Sequence, residues 1–503
     1  QMYYGNQQFL FVYEQFDDVR LVAAPPSSIG KFGGDTDNWI WPRHTGDFSM
    51  FRVYASKDNR PAAYSPQNVP YRPKKHFSIS TKGVKEGNFT MIYGFPGNTQ
   101  EYILSDAVAY IAERSDPAKI AIRTGRLDII TKAQESDPAL RIHYAAKHAS
   151  IANAWKKWQG EALGIDRRGT VAAKFDYETQ FGLWSVGRPE YAGVVMGLRA
   201  EYDRIMDAYF AYEITRETLS TLPAAYTPEE RAEECFARRK FAEQALWRHA
   251  FREYGRCPKV YRTPSYAEGI ARYKSPEAYA DALFEAVWEG SDSVAMQPAV
   301  RLREETKRML DHISWMLGTK SLRNLNSKIL NELYTTYIKG LREWDRERAF
   351  YPDANLTLRV AYGSVAGYEY ADGEYHKPQT TLDGIIAKDN PEIYDYDIPQ
   401  SLRDLYASKN YGRWGTVIDG RRTVPVCFLA TNHTTGGNSG SPVLNAGGEL
   451  IGINFDRTWR STMSDIAYDP AICRNIAVDI RYVLFVVDRV GGAGYLLKEM
   501  TLK

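Results

Sequence analysis

The stretch Gly437-Asn438-Ser439-Gly440-Ser441-Pro442 does most to decide how this chain is interpreted. A serine between small residues, followed by the apolar run Glu449-Leu450-Ile451-Gly452-Ile453, is typical of a nucleophile presented on a tight turn before a strand. The glycines permit the sharp turn and let two backbone amides converge where the oxyanion of a tetrahedral intermediate would lie. The alternative is an ordinary Gly/Ser-rich hairpin turn, because short motifs of this kind also occur without any catalytic role.

The order of residues along the chain separates the known classes of serine hydrolase. The α/β-hydrolase order requires a histidine after the serine, whereas the last histidine here is His433. That motif also has glycine two residues after the nucleophile, where this chain has Ser441. The order His…Asp…Ser of chymotrypsin-type peptidases therefore fits best.

Composition limits the remaining function classes. A chain of 503 residues predicts two or three domains, and a hydrophobic content of 44% is that of a globular protein. The net charge of +2 gives no electrostatic reason to expect nucleic acid or a membrane surface as a partner. No apolar run approaches the ~18 residues of a membrane span. The histidines, cysteines and acids lack metal-ligand spacing, so no metal and no organic cofactor is predicted.

Three regions of the chain differ in local pattern. Short β-like runs such as Phe9–Tyr13 and Met50–Tyr54 fill the first region, and the run Leu356–Tyr362 begins the last. Between them the pattern is helical, with a capping box at Thr227–Glu230 that predicts a helix continuing to about Tyr254. We therefore predict β-rich segments at residues 1–102 and 351–503, with an α-helical domain at residues 103–350.

The segment from Gly33 to Phe48 is unusually dense in acids, tryptophans and basic residues. One interpretation is a rigid surface loop held by its own tryptophans. The other is a pocket wall that also supplies the carboxylate of a catalytic triad.

Four motifs together resemble the bacterial dipeptidyl-peptidase 7 and 11 family: Gly34 to Asp47, Gly94 to Thr99, Asn153 to Lys156, and Thr435 to Pro442. The resemblance covers nearly the whole chain and keeps the motif order. It implies a β protein with a large α insertion: a chymotrypsin-like double β-barrel with an α-helical domain capping the cleft.

The same resemblance implies the substrate class, the oligomeric state and the location of the protein. Its substrates would be oligopeptides with a free amino terminus, and a homodimer is possible. The location would be the periplasm or cell surface of a Gram-negative bacterium, reached through a signal peptide that this chain does not contain.

The family's functional residues can be placed on matching positions of this sequence. The resemblance implies Ser439 as nucleophile, Asp47 as triad aspartate, and the amides of Gly437 and Ser439 as the oxyanion hole. It also implies an ammonium-binding set for the substrate amino terminus, consisting of Asn38, Trp39, Asn153 and Asp456. Carbonyl-type oxygens and one carboxylate suit the three donors and the charge of an ammonium group.

The general base is the point at which this sequence departs from the family pattern. The only histidine before Asp47 is His44, whereas the family's base lies well upstream. We expect the base to lie in a part of the protein that precedes Gln1 and is not present in this chain. His44 and His433 are interpreted as structural residues.

Arg457 follows Asp456 and lies eighteen residues after Ser439. In the family this position separates members, and an arginine implies specificity for Asp or Glu as the second substrate residue, because a guanidinium offers a planar fork to a carboxylate. Without the resemblance, a surface arginine in a β-turn is the favoured interpretation. Two other functions remain open: a chymotrypsin-fold endopeptidase with a helical regulatory domain, and a non-catalytic peptide-binding protein on a peptidase scaffold.

Overall fold

The computed structural model describes residues 1–290, 293–319, 322 and 324–503. The chain divides into two compact units. The first, here called the helical unit, consists of residues 1–8 and 102–352; the second, the β unit, consists of residues 9–101 and 353–503. Residues 1–8 thus group with the helices and not with the β-rich residues that follow them. The domain assignment made from sequence itself stays a prediction.

The α-helices, numbered in chain order, are α1 Ser27–Gly30, α2 Ser105–Ala109, α3 Asp116–Ser136, α4 Pro138–Arg167, α5 Thr170–Ser185, α6 Val194–Glu217, α7 Pro228–Ala232, α8 Lys240–Tyr254, α9 Pro264–Tyr273, α10 Pro276–Glu289, α11 Ser293–Leu317, α12 Lys328–Trp344, α13 Leu382–Lys388, α14 Gln400–Ser408 and α15 Ile480–Phe485. The helical unit contains α2 to α12. None of the described helices is long and apolar enough to cross a membrane.

Local signals explain where several of these helices begin. Ser275 accepts a hydrogen bond from the amide of Ala278 at 3.0 Å, and Pro276 occupies the first helical position of α10. The capping box at Thr227 is present, with the side chains of Thr227 and Glu230 each bonded to the other's backbone amide. The predicted long helix is nevertheless wrong, since α7 ends at Ala232 and α8 starts only at Lys240.

All the named strands lie in the β unit: β1 Val19–Ala23, β2 Met50–Ala55, β3 Val69–Pro70, β4 Phe89–Gly94, β5 Arg359–Ser364, β6 Tyr368–Ala371, β7 Glu374–His376, β8 Gln379–Thr381, β9 Thr416–Ile418, β10 Arg421–Thr423, β11 Pro425–Ala430, β12 Pro442–Leu444, β13 Leu450–Arg457 and β14 Asn475–Asp479. The predicted run Phe9–Tyr13 is not a strand, and Leu10 and Val12 are almost fully exposed.

The largest sheet has seven strands in the order β5-β4-β12-β13-β14-β11-β8, and its neighbours are antiparallel. Every residue of β11 and β14 is buried, so both faces of these two strands lie in the core of the unit. An isolated bridge between Val365 and Ala430 brings the chain after β5 next to β11. The pairings among the named strands do not close the sheet into a barrel, so the expected double β-barrel is not confirmed.

A second, three-stranded sheet has the order β1-β2-β3. The chain is therefore a mixed α and β protein, in which the two segments of the β unit flank residues 102–352 of the helical unit in sequence.

A β-bulge in β13 positions the candidate site. Asn454 pairs with Ala477 of β14 and Asp456 pairs with Ile476, which leaves Phe455 as the extra residue. A bulge of this kind bends the strand and redirects its side chains, and bulges are frequent beside active sites. The two residues after the bulge are Asp456 and Arg457.

Candidate active site

Ser439 lies on the loop between β11 and β12, and its side chain is exposed. Its hydroxyl donates a hydrogen bond to the carbonyl oxygen of Phe455, the bulge residue, at 3.3 Å. The loop is fixed from below by two buried asparagines: Asn438 Oδ1 accepts from the amide of Thr435 at 3.1 Å, and Asn454 Nδ2 donates to the carbonyl of Asn438 at 3.0 Å. The backbone of the serine loop is thus held by buried hydrogen bonds, while Ser439 itself is exposed.

Gly437 has a φ of +102°, a conformation that L side chains rarely adopt. A Cβ at this position would also collide with the carbonyl oxygen of Phe95. The amide of Gly97 donates to the carbonyl of Gly436 at 2.6 Å, so the Gly94–Thr99 motif forms the support of the serine loop. Among the described residues, no hydrogen bond uses the amides of Gly437 and Ser439.

Asp47 precedes β2, and its side chain is exposed on one side. The protein packed around the rest of its carboxyl raises the pKa of Asp47; the Asp456 carboxylate adds to this effect and the Arg43 guanidinium opposes it. No hydrogen bond within the described part of the chain reaches the Asp47 carboxylate.

Asp456 is the centre of a buried polar cluster. Its Oδ2 accepts from Arg43 Nη1 at 2.7 Å and from the amide of Trp39 at 3.4 Å. Its Oδ1 accepts from the amide of Arg457 at 2.8 Å. The side chains of the Arg43–Asp456 pair are only 9% and 11% exposed. Arg43 was not singled out from sequence; the available signal was one arginine among several acids in a single short segment.

The backbone around Trp39 is unusual. Trp39 has a φ of +67°, which is uncommon for a residue other than glycine and is often found at functional sites. Its carbonyl accepts from the amide of Trp459 at 2.6 Å. Asn38, the preceding residue, is half-buried, so the structure places Asn38 and Trp39 in the chain segment beside Asp456.

Arg457 is buried, with 4% of its surface exposed, so the alternative of a surface arginine in a turn is wrong. Its guanidinium carbon lies 5.6 Å from the centre of the Trp39 ring. Its Nη1 and Nη2 donate to the two carboxylate oxygens of Asp465 at 2.6 and 2.8 Å. This bidentate ion pair was not foreseen from sequence.

Asn153 belongs to the helical unit. It lies on α4 and is exposed. Its expected part in binding the substrate amino terminus stays a prediction.

The β unit contains four histidines, and none of them is bonded to Ser439 among the described residues. His44 is buried against Gly384, and burial together with the nearby Lys388 lowers the pKa of His44 to about 3. Burial likewise lowers the pKa of His433 to about 4, and its Nε2 bonds the carbonyl of Ser464 at 2.8 Å. Both histidines are therefore neutral near pH 7. Their interpretation as structural residues stays a prediction.

Within the described part of the helical unit, His143, Glu233 and Cys235 form a cluster of potential metal ligands. Arg239 lies among them, with Nη1 at 2.7 Å from His143 Nε2 and 3.2 Å from Glu233 Oε2. A guanidinium already supplies the positive charge in this cluster, which disfavours a metal ion.

Comparison with known proteins identifies the class of protein as a peptidase. A family model described as Peptidase S46 matches residues 1–234 and 224–502. The chain belongs to the Peptidase S46 family.

Individual relatives are similar over nearly the whole chain. The Asp/Glu-specific dipeptidyl-peptidase of Capnocytophaga gingivalis is 43% identical over 546 residues, which cover 99% of this chain and 75% of that protein. Dipeptidyl-peptidase 7 of Phocaeicola vulgatus is 35% identical, and the alignment covers 99% of this chain and 74% of that protein.

Solved structures agree with this assignment. The crystal structure of Porphyromonas endodontalis DPP11 has a TM-score of 0.87 at 35% identity, covering 100% of this chain and 78% of that one. The structure of the same protein in complex with the dipeptide Arg-Glu has a TM-score of 0.82, also at 35% identity. The match covers 97% of this chain and 75% of that one.

His44 predicts a specific pH dependence of stability. Its folded pKa of about 3 lies below the ordinary value of 6.5, so the unfolded chain binds the proton more readily. The stabilisation from neutral His44 is therefore complete above pH 6.5 and is lost as the pH falls towards 3, by up to about 4 kcal/mol. We expect His44→Gln to flatten the fall of the unfolding midpoint between pH 6.5 and pH 4, measured by denaturant titration.

The matched control is His76→Gln, at an exposed position of the same unit, which should keep the native pH profile. If the unfolding midpoints of the native protein and of His44→Gln fall in parallel with pH, protonation of His44 does not destabilise the fold and the prediction is wrong.

Proposed function

We propose that this chain is a serine dipeptidyl-peptidase that releases dipeptides from the amino terminus of oligopeptides and prefers Asp or Glu as the second residue. The observation that carries the proposal is a buried arginine, Arg457, directly after the largely buried carboxylate of Asp456, on the strand whose Phe455 carbonyl accepts a hydrogen bond from Ser439. The 43% identity to an Asp/Glu-specific dipeptidyl-peptidase supports it.

In the proposed reaction Ser439 Oγ attacks the carbonyl carbon of the second residue, and its proton passes to a general base. The negative charge that develops on the carbonyl oxygen is stabilised by the amides of Gly437 and Ser439. The C–N bond then breaks, the leaving amine takes the proton, and water hydrolyses the acyl-enzyme. Asp47, whose carboxylate has no hydrogen bond in the described structure, would orient the base.

A clamp for the free amino terminus would make this an exopeptidase. Asp456 provides a carboxylate beside Trp39, and the adjacent Asn38 provides an amide oxygen. Asn153 is proposed as a further member from the helical unit. A clamp two residues from the scissile bond permits only dipeptides to be released.

The family resemblance also leads to proposals about the architecture, the location and the oligomeric state. We propose that the seven- and three-stranded sheets belong to a chymotrypsin-like double β-barrel whose cleft is capped by the α-helical domain, with residues 1–102 and 351–503 as the barrel segments. A location in the periplasm or at the cell surface and a homodimeric state are proposed as well. Cell fractionation and sedimentation analysis test the last two.

The first prediction concerns the nucleophile. Ser439→Ala should abolish dipeptide release and labelling by a fluorophosphonate probe without lowering the unfolding temperature, because the side chain is exposed and makes one weak bond. Asp47→Asn should lower turnover by roughly 10⁴-fold, by analogy with the orienting aspartate of other triads. Ser441→Ala, on the same loop, serves as control. Substantial turnover by Ser439→Ala would exclude this serine, and a folded native enzyme without hydrolysis would favour the non-catalytic binding protein.

The second prediction concerns the free amino terminus. Acetylation of a tetrapeptide should abolish cleavage, because an acetyl group removes both the charge and two donors that the Asp456 cluster would accept. Asp456→Asn should raise KM for the free-amine peptide more than it lowers kcat, measured by steady-state kinetics. Efficient cleavage of the acetylated peptide would instead support the endopeptidase alternative.

The third prediction concerns the acidic preference. Arg457→Gly should lower kcat/KM for substrates with Asp or Glu as second residue by one to a few orders of magnitude, since losing a buried charge pair costs about 2–5 kcal/mol. Arg457→Lys should recover only part of the loss, because an ammonium lacks the planar fork. Specificity constants for Asp, Glu, Leu and Lys at the second residue measure this. An unchanged ranking in Arg457→Gly would mean that another residue recognises the acid.

A further inference from the structure

The guanidinium of Arg457 is paired with a carboxylate of the same chain. Asp465 lies at the end of the 3₁₀ helix Trp459–Asp465 and accepts one hydrogen bond on each carboxylate oxygen. Only 4% of Arg457 and 7% of Asp465 is exposed. Arg457 Nη1 also donates to the carbonyl of Thr434 at 3.1 Å and to Ser464 Oγ at 2.9 Å.

The bidentate pair with Asp465 fixes the orientation of the Arg457 guanidinium and balances its charge. A buried arginine without a counter-ion is costly, and Asp465 removes that cost when no acidic substrate is bound. The neighbouring His433 contributes no charge near neutral pH, because burial lowers its pKa to about 4. The pair Arg457–Asp465 is therefore close to neutral in the free enzyme.

Neutrality has opposite consequences for the two kinds of substrate. An apolar second residue would meet an ion pair that is already balanced, so its penalty is moderate. An acidic second residue would share Arg457 with a second carboxylate, which weakens its own attraction. Specificity is the difference between the binding free energies of the acidic and the apolar substrate. The charge of Asp465 changes both of these free energies.

We propose that Asp465 is a positioning residue that limits how strictly the enzyme selects Asp or Glu, by serving as the standing counter-ion of Arg457. The proposal rests on the proposed function, in which Arg457 recognises the acid. Removal of the Asp465 charge then leaves Arg457 without its bidentate partner in the chain, so the substrate carboxylate is attracted more strongly and the preference for acidic residues becomes sharper.

The test compares Asp465→Asn with the native enzyme on dipeptidyl substrates that differ only in Glu or Leu as second residue. The ratio of kcat/KM for Glu over Leu should rise on the order of tenfold, mainly through a higher KM for Leu. Ser464→Ala removes one uncharged acceptor of the same guanidinium without changing the charge balance, and should change the ratio by less than about twofold. A ratio that stays constant or falls in Asp465→Asn overturns the proposal.

A binding measurement gives a readout that a purely structural role would not change. The dipeptide Arg-Glu should raise the unfolding temperature of Asp465→Asn more than that of the native protein, whereas Arg-Leu should not. Equal shifts with both dipeptides would contradict a counter-ion role.

A second variant keeps the test decisive if Asp465→Asn does not fold. Arg457→Gly alone leaves the Asp465 carboxylate buried without its partner, whereas Arg457→Gly with Asp465→Asn removes both charges. The double variant should cleave the Leu substrate several-fold better than Arg457→Gly. Equal activity of the two would count against Asp465. If Arg457→Gly instead leaves the acidic preference intact, the proposed function fails.

Discussion

The bulge at Phe455 is the constraint on which the rest of the site depends. It inserts one residue into β13, and the Phe455 carbonyl accepts the Ser439 hydroxyl. Asp456 and Arg457 follow at once, and each forms its own buried ion pair, with Arg43 and with Asp465. One strand irregularity thus gives three consecutive positions of β13, Phe455 to Arg457, the acceptor for the Ser439 hydroxyl, a carboxylate and a guanidinium. A regular strand would alter the direction of the two charged side chains.

The two ion pairs have different structural consequences. Arg43 and Asp456 lie 413 residues apart, so this pair ties the segment before β2 to the end of β13. Arg457 and Asp465 lie eight residues apart, so that pair stabilises a local turn of the chain after β13. Breaking either pair leaves a buried charge, which costs far more than an exposed ion pair contributes. We therefore expect both clusters to be rigid.

Local features of the sequence predicted much of this arrangement. The strand β2 and the capping box at Thr227 depend on neighbouring residues, so pattern alone located them. The break between α7 and α8 could not be predicted, because residues 233–239 have helical composition while Arg239 is buried against His143 and Glu233. The Arg43–Asp456 contact was hidden for a different reason: sequence shows charges but not which distant pair they form. The roles of the site residues stay predictions.

The charge count around Asp456 explains how an ammonium group could be accepted there although Asp456 already has a cationic partner. Arg43 and Asp456 balance each other, which alone would leave no net attraction for another cation. Asp47 adds a third charge that interacts with both, and its raised pKa shows that its negative charge is held unfavourably. The cluster therefore carries a net charge of about −1 when Asp47 is ionised. An ammonium group would neutralise it and favour ionised Asp47, the form that can orient a general base. If Asp456 binds the substrate amino terminus and Asp47 orients the general base, as proposed, the two events are coupled through the same three side chains.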